Sequence, residues 1–385
     1  MRFLILFIPF LLWGSWVEEE LGKMTLDQKI GQLFVAPACP LRDADHFADW
    51  LQIMKNYHIG NAIVKESDPI SQVHFLNRLQ KASELPLLIT ADAEWGLAMR
   101  MTDTIAYPRN LALGALNDLN LIYELGCEIG RQAKRVGIRM NLAPVADINS
   151  NPDNPVIKTR SFGDDPQKVA DCVAAFANGL QSAGVLACAK HFPGHGDTTL
   201  DSHYDLPVVF HPLSRLETVE LIPFKRAAKK GIAALMTAHL YVPAIDPIYP
   251  SSLSPTCIEW IRKKLKFQGL IITDALNMKA IADRYSPEEI GVLARKAGSD
   301  LLLYGDHIAP NVDEILRETI PRAFKALKEA YLSDELDLSE LDASVLRILR
   351  AKEGIERSIP TENLLEELNS KEAIDLKNRL FALSS

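Results

Sequence analysis

One run in the middle of the chain, KHFPGHGDTTLDSH from Lys190 to His203, concentrates groups that could do chemistry. It supplies Lys190, the histidines His191, His195 and His203, the carboxylates Asp197 and Asp201, and the turn formers Pro193, Gly194 and Gly196. Imidazole titrates near neutrality, so a histidine beside a carboxylate can give up a proton and take it back. The same residue types ligate zinc, which makes a metal-dependent hydrolase the strongest rival. Pro193 and Gly194 interrupt the spacing between His191 and His195. The helical arrangement in which two histidines share one metal is therefore not available to them.

The run follows GVLACA (184–189), which reads as a buried strand, so the polar residues begin where a strand gives way to a loop. The same pattern recurs along the chain. Apolar runs at 32–36, 61–64, 87–91, 138–143, 185–189, 232–237, 270–273 and 301–304 predict eight strands. Nearly continuous apolar strands belong to a parallel sheet covered on both faces. Helical patterns at 117–135, 166–182, 212–229, 255–265 and 287–297 separate them, several opening at Asp, Ser or Pro as helix starts do. Eight βα units predict an α/β fold, a TIM (β/α)8 barrel, with a doubly wound open sheet as the alternative. In such a barrel the carboxyl ends of the strands carry the chemistry. Asp92, Asp147, Lys190 with His191, His239 and Asp274 follow the third to the seventh strands in turn. Buried carboxylates and imidazoles need partners, so this clustering makes sense if they share a ligand.

The expected organisation is a hydrophobic leader or signal peptide at 1–16, a catalytic barrel at 17–355 with closing helices at 311–329 and 339–355, and a helical tail at 356–385. The leader has one Arg, an apolar stretch from Phe3 to Trp13, then Gly14 and Ser15, and that stretch is shorter than a membrane span. It predicts a periplasmic or secreted protein, with an apolar amino terminus on a cytoplasmic protein as the alternative. Five dispersed cysteines, Cys39, Cys127, Cys172, Cys188 and Cys257, form no C-x-x-C pair and read as small core residues. A formal net charge of -8 argues against a nucleic acid partner.

The Lys190 to His203 run, together with ITDALNM (272–278), SFGDDP (161–166) and LSPTCIEWIRKKLKFQG (253–269), resembles family 3 glycoside hydrolases of the β-N-acetylglucosaminidase type. The resemblance runs in the family's order from Thr25 to Gly305. It implies hydrolysis of terminal β-linked GlcNAc with retention, no cofactor, no metal, a carbohydrate substrate and no obligate protein partner. Peptidoglycan fragments or chito-oligosaccharides are the implied substrates. Retention needs a carboxylate nucleophile on one face of the sugar and a proton donor on the other. Asp274 suits the nucleophile because it ends a strand after a small Thr; its plain alternative is capping the next helix. By resemblance Asp274 forms the glycosyl-enzyme, and a loop histidine, His203, is the acid/base with Asp201 orienting it.

The resemblance also assigns Asp92, Arg100, Arg160, Lys190 and His191 to holding the sugar. Asp147 and His239 are expected either to line the pocket or to support it. Within Asp92 to Leu97, Trp95 and Leu97 replace the Gly and Arg of the family's D-x-E-G-G-R and are expected to alter the pocket rim. Phosphorolysis, β-glucosidase activity and a non-catalytic sugar-binding module are the remaining alternatives.

Overall fold

A computed structural model of the chain describes residues 16–305 and 311–384. The expected leader, apart from Trp16, lies outside the described residues. Eight strands form, β1 (Phe34–Ala38), β2 (Asn61–Val64), β3 (Leu88–Ala91), β4 (Met140–Asn141), β5 (Leu186–Phe192), β6 (Ala234–Thr237), β7 (Leu270–Thr273) and β8 (Leu302–Leu303). Every ladder is parallel, in the order β7-β6-β5-β4-β3-β2-β1-β8. The Thr273 N–H donates to the Leu301 carbonyl at 3.0 Å and the Leu301 N–H to Ile271 at 3.1 Å, which brings β7 against β8. The result is the expected TIM barrel. Apolar strand residues fill both faces, and Leu364, Leu368, Leu376 and Leu380 of the tail join the same buried cluster.

Helices follow their predicted signals closely where capping is strong. Pro166–Ser182 starts behind Asp165, whose carboxylate accepts the Lys168 N–H, and Pro287–Ala297 starts behind a Ser286/Glu289 capping box. The helix expected at 212–229 is two helices instead, Leu213–Thr218 and Ile222–Lys229. Pro223 explains the break, since a proline fits a first turn but not a helix interior. At the amino ends of the strands, Lys352 from the helix Leu338–Lys352 is buried and donates to the Gln32 amide oxygen and, at 2.7 Å, to the Gly60 carbonyl. Gln32 was expected to start a strand; it caps the helix Leu26–Gly31 and meets this lysine. The tail helices Leu364–Leu368 and Lys371–Ser384 lean on the helix Leu119–Arg135, where Arg135 donates to the Pro360 carbonyl at 2.6 Å.

Strand β5 runs three residues further than expected, to Phe192. Its register against β6 shifts between Ala189 and Phe192, and Val145 bridges to Lys190, so Lys190 and His191 are part of the sheet. Their positions are thus set by the barrel wall and not by a loop.

Candidate active site

A cavity of about 340 Å³ opens at the carboxyl ends of the strands, within the usual size of a small-molecule site. The eight residues that the resemblance assigned to catalysis or to holding the sugar line it: Asp92, Arg100, Arg160, Lys190, His191, Asp201, His203 and Asp274. Asp92, just past β3, takes a 2.7 Å bond from Lys190 Nζ and a 3.5 Å bond from Arg100. Burial would raise its pKa, but the charges of Lys190 and Arg100 outweigh that and hold the carboxyl well below the usual range. Lys190 is 3% exposed and also reaches Glu94 at 2.9 Å. Arg160 forms a two-bond fork on Glu94 at 3.0 and 2.7 Å, and its other contact is His191 Nε2 at 3.5 Å. These alternating cations and carboxylates form a rigid set of donors and acceptors suited to hydroxyl groups.

Glu94 escaped the sequence reading, although it is fully buried and joins the two cations. A signal existed. It sits two positions after Asp92 at a strand end, and residues spaced by two share a face. Trp95 lines the cavity as expected, with the Arg109 guanidinium 3.3 Å from its ring centroid. Leu97 departs from expectation: it is 2% exposed, packs in the core and does not line the cavity. The turn Leu97–Met99 delivers Arg100 to the cavity in its place.

Asp147 and His239 are fully buried supports that do not line the cavity. Asp147 accepts the His191 ring Nδ1–H at 2.6 Å and the backbone N–H groups of His191 and His195 at 3.2 and 2.6 Å. It therefore fixes the ring that faces the cavity. His239 contacts Ser252 Oγ at 2.7 Å and, by Nε2, the Ala275 carbonyl at 2.9 Å, anchoring the turn after the candidate nucleophile.

Asp274 stands at the end of β7 and accepts the Ala275 N–H at 2.8 Å. That bond occupies one carboxylate oxygen while the residue still lines the cavity. Burial pushes its pKa up, but the neighbouring His191, His239 and His203 more than compensate and hold it at about 2. The carboxylate is thus ionised throughout the range in which glycosides are assayed.

Asp201 and His203 lie on the long connection 193–212. Asp201 Oδ1 accepts the His203 N–H at 2.9 Å and meets the ring Nδ1 at 2.6 Å. Burial raises and these bonds lower the Asp201 pKa, the lowering prevailing. His195 supports the same loop from below, with Nδ1 on Thr198 Oγ1 at 2.8 Å and Nε2 on Ser202 Oγ at 3.1 Å. Burial pulls its pKa down to about 4, so it is neutral at physiological pH. Gly196 permits the close approach that seats this loop, because a Cβ there would stand 1.6 Å from the Ile148 carbonyl oxygen. The five side chains of the rival metal reading are divided among separate pairs. Among the described residues, no three His, Cys, Asp or Glu converge as metal ligands.

The family model described as glycosyl hydrolase family 3 N terminal domain matches residues 25–351. Beta-hexosaminidase A of Pseudoalteromonas piscicida is 31% identical over 80% of this chain, which spans only 55% of that relative's length. A solved glycoside hydrolase family 3 beta-N-acetylglucosaminidase from Paenibacillus sp. FPU-7 superposes with a TM-score of 0.85 and 36% identity, covering 94% of this chain and 69% of that one. A solved beta-glucoside phosphorylase, BglX, gives a TM-score of 0.85 at 27% identity, covering 95% of this chain and 66% of that one. A family model that takes in nearly the whole barrel, on a chain whose cavity gathers Asp92, Arg100, Arg160, Lys190, His191, Asp201, His203 and Asp274, places this protein in glycoside hydrolase family 3.

Proposed function

We propose that the chain is an exo-acting, retaining β-N-acetylglucosaminidase. The observation that carries the reading is one cavity holding an ionised strand-end carboxylate, Asp274, and a loop dyad, His203 with Asp201. In the first step an Asp274 oxygen attacks the anomeric carbon while His203 protonates the departing glycosidic oxygen. Asp201 holds Nδ1, so the transferred proton is carried on Nε2. In the second step His203 takes a proton from water, which displaces Asp274 and releases the sugar with its configuration retained. A histidine here also adds no second anion beside the nucleophile. Asp92, Arg100, Arg160, Lys190 and His191 grip the sugar hydroxyls, each charged hydrogen bond contributing about 1.5 to 3 kcal/mol.

The proposed substrates are β-linked GlcNAc termini of peptidoglycan fragments or chito-oligosaccharides. The apolar leader favours action in the periplasm or outside the cell. Phosphorolysis is the second reading, favoured by the likeness to the solved phosphorylase and by a histidine that repels an incoming phosphate less than a carboxylate would. The test is nitrophenol release from the β-N-acetylglucosaminide and the β-glucoside side by side, in EDTA, with and without phosphate. Turnover of the acetamido sugar without phosphate supports the hydrolase. Turnover only with phosphate overturns it in favour of the phosphorylase, and an Asp274→Ala variant that stays within a few fold of the parent removes the nucleophile assignment.

A further inference from the structure

The proposed nucleophile and the proposed acid differ in how the fold holds them. Asp274 is fixed by a strand, whereas His203 rides on residues 193–212, whose Leu200, Tyr204 and Phe210 are 47%, 60% and 83% exposed. Apolar packing of those side chains does not hold the loop in place. Polar ties do so. On the inner side His195 meets Ser202, and Val209 donates its N–H to the Tyr241 carbonyl at 2.9 Å. On the outer side His211 Nε2 meets Asp197 Oδ2 at 2.6 Å, joining the two ends of the loop across the segment that carries Asp201 and His203. Ser150 Oγ donates to the other Asp197 oxygen at 3.3 Å, so the carboxylate is also fastened to the loop that follows β4. Neither Asp197 nor His211 lines the cavity.

We propose that Asp197 and His211 are positioning residues, a clasp that sets His203 over the glycosidic oxygen. The inference rests on the reading of His203 as the acid. Tying the ends of a loop removes most of the conformations in which a group at its middle is misplaced. Proton transfer demands hydrogen-bond reach, so small displacements of the ring cost rate. Loss of the clasp should therefore be felt in the step that protonates the leaving group and not in sugar binding.

The test compares His211→Ala and His211→Gln with the parent, measuring kcat/KM on β-N-acetylglucosaminides of dinitrophenol, which departs unaided, and of methoxyphenol, which needs the acid. The clasp predicts that His211→Ala loses about fivefold on the methoxyphenyl glycoside, the scale of one side-chain hydrogen bond, and keeps its rate on the dinitrophenyl one. Glutamine places an N–H near the position of Nε2 and should restore much of the loss. Full activity on dinitrophenol also certifies that the variant is folded. An equal loss on both substrates, or no loss on either, overturns the clasp. His203→Ala run alongside separates the two ideas. If it is insensitive to the leaving group, the acid assignment falls and the clasp with it; if it is sensitive while His211→Ala is not, only the clasp falls.

Discussion

Replacing Glu94 by Gln keeps the shape of a fully buried side chain and removes its charge. Glu94 holds Arg160 through two bonds of 3.0 and 2.7 Å and Lys190 through one of 2.9 Å. Burial alone would raise its pKa, yet Arg160 and Lys190 hold it at about 2 against an ordinary 4.5. That depression corresponds to about 3 kcal/mol of stabilisation at neutral pH. Breaking a buried ion pair from one side independently suggests about 3 to 5 kcal/mol, because the partner cations stay buried. Glu94→Gln should therefore lower the thermal midpoint by about 4 to 6 °C for a chain of this size. Arg160, released from its fork, should also cost about tenfold or more in kcat/KM. The deficit should depend on pH in one direction. The parent has the full Glu94 contribution above about pH 4.5 and loses it as pH falls toward 2, so the stability gap between parent and variant should close over that interval. A variant that melts with the parent, or a gap that stays constant during acidification, would refute this account of the site.

Three further outcomes are expected. Asp147→Asn should leave the His191 ring without its charged partner and reduce kcat/KM about 10- to 100-fold, with sugar-binding KM read separately in steady-state kinetics. Gly196→Ala should force the loop that carries His203 off Ile148 and destabilise the protein by about 1 to 3 kcal/mol, visible as a lower thermal midpoint together with, under the proposed function, slower turnover of glycosides with poor leaving groups. Lys352 is pushed down to about 7 by burial, so in the parent this group's contribution to stability should rise with pH from about 7 to 10.5 as the unfolded chain alone keeps the proton. Lys352→Met should flatten that rise, and a melting profile with unchanged pH dependence would contradict the burial argument.

The barrel was legible because its strands are short apolar runs that end in polar residues, as Thr273 and Asp274 show, and because caps such as Ser286 with Glu289 mark helix starts locally. The break at Pro223 was readable in principle, but the amphipathic pattern continues across it and masks the stop. The extension of β5 through Lys190 and His191 could not be read, since polarity there suggests a loop and only the neighbouring strands decide the pairing. The candidate site was legible as a set of residue types, but its partnerships were not. Which carboxylate faces the ligand and which, like Asp147, lies behind a histidine depends on contacts across 44 residues of sequence. Leu97 misled for the same reason: its position in a motif said nothing of the turn that buries it and brings Arg100 forward.

The placement of the proposed nucleophile at a strand end and of the proposed acid on a loop has an engineering consequence. Lys190 and His191 lie in β5 and Asp274 just past β7, whereas Asp201 and His203 occupy one contiguous insert between Phe192 and Leu213. Under the proposed function, that insert is a cassette for the acid/base dyad. Exchanging it between barrels should, under the same proposal, change leaving-group preference while leaving Asp92, Arg100, Arg160, Lys190 and His191 in place, and it would carry with it the two further cavity residues His195 and Ser202.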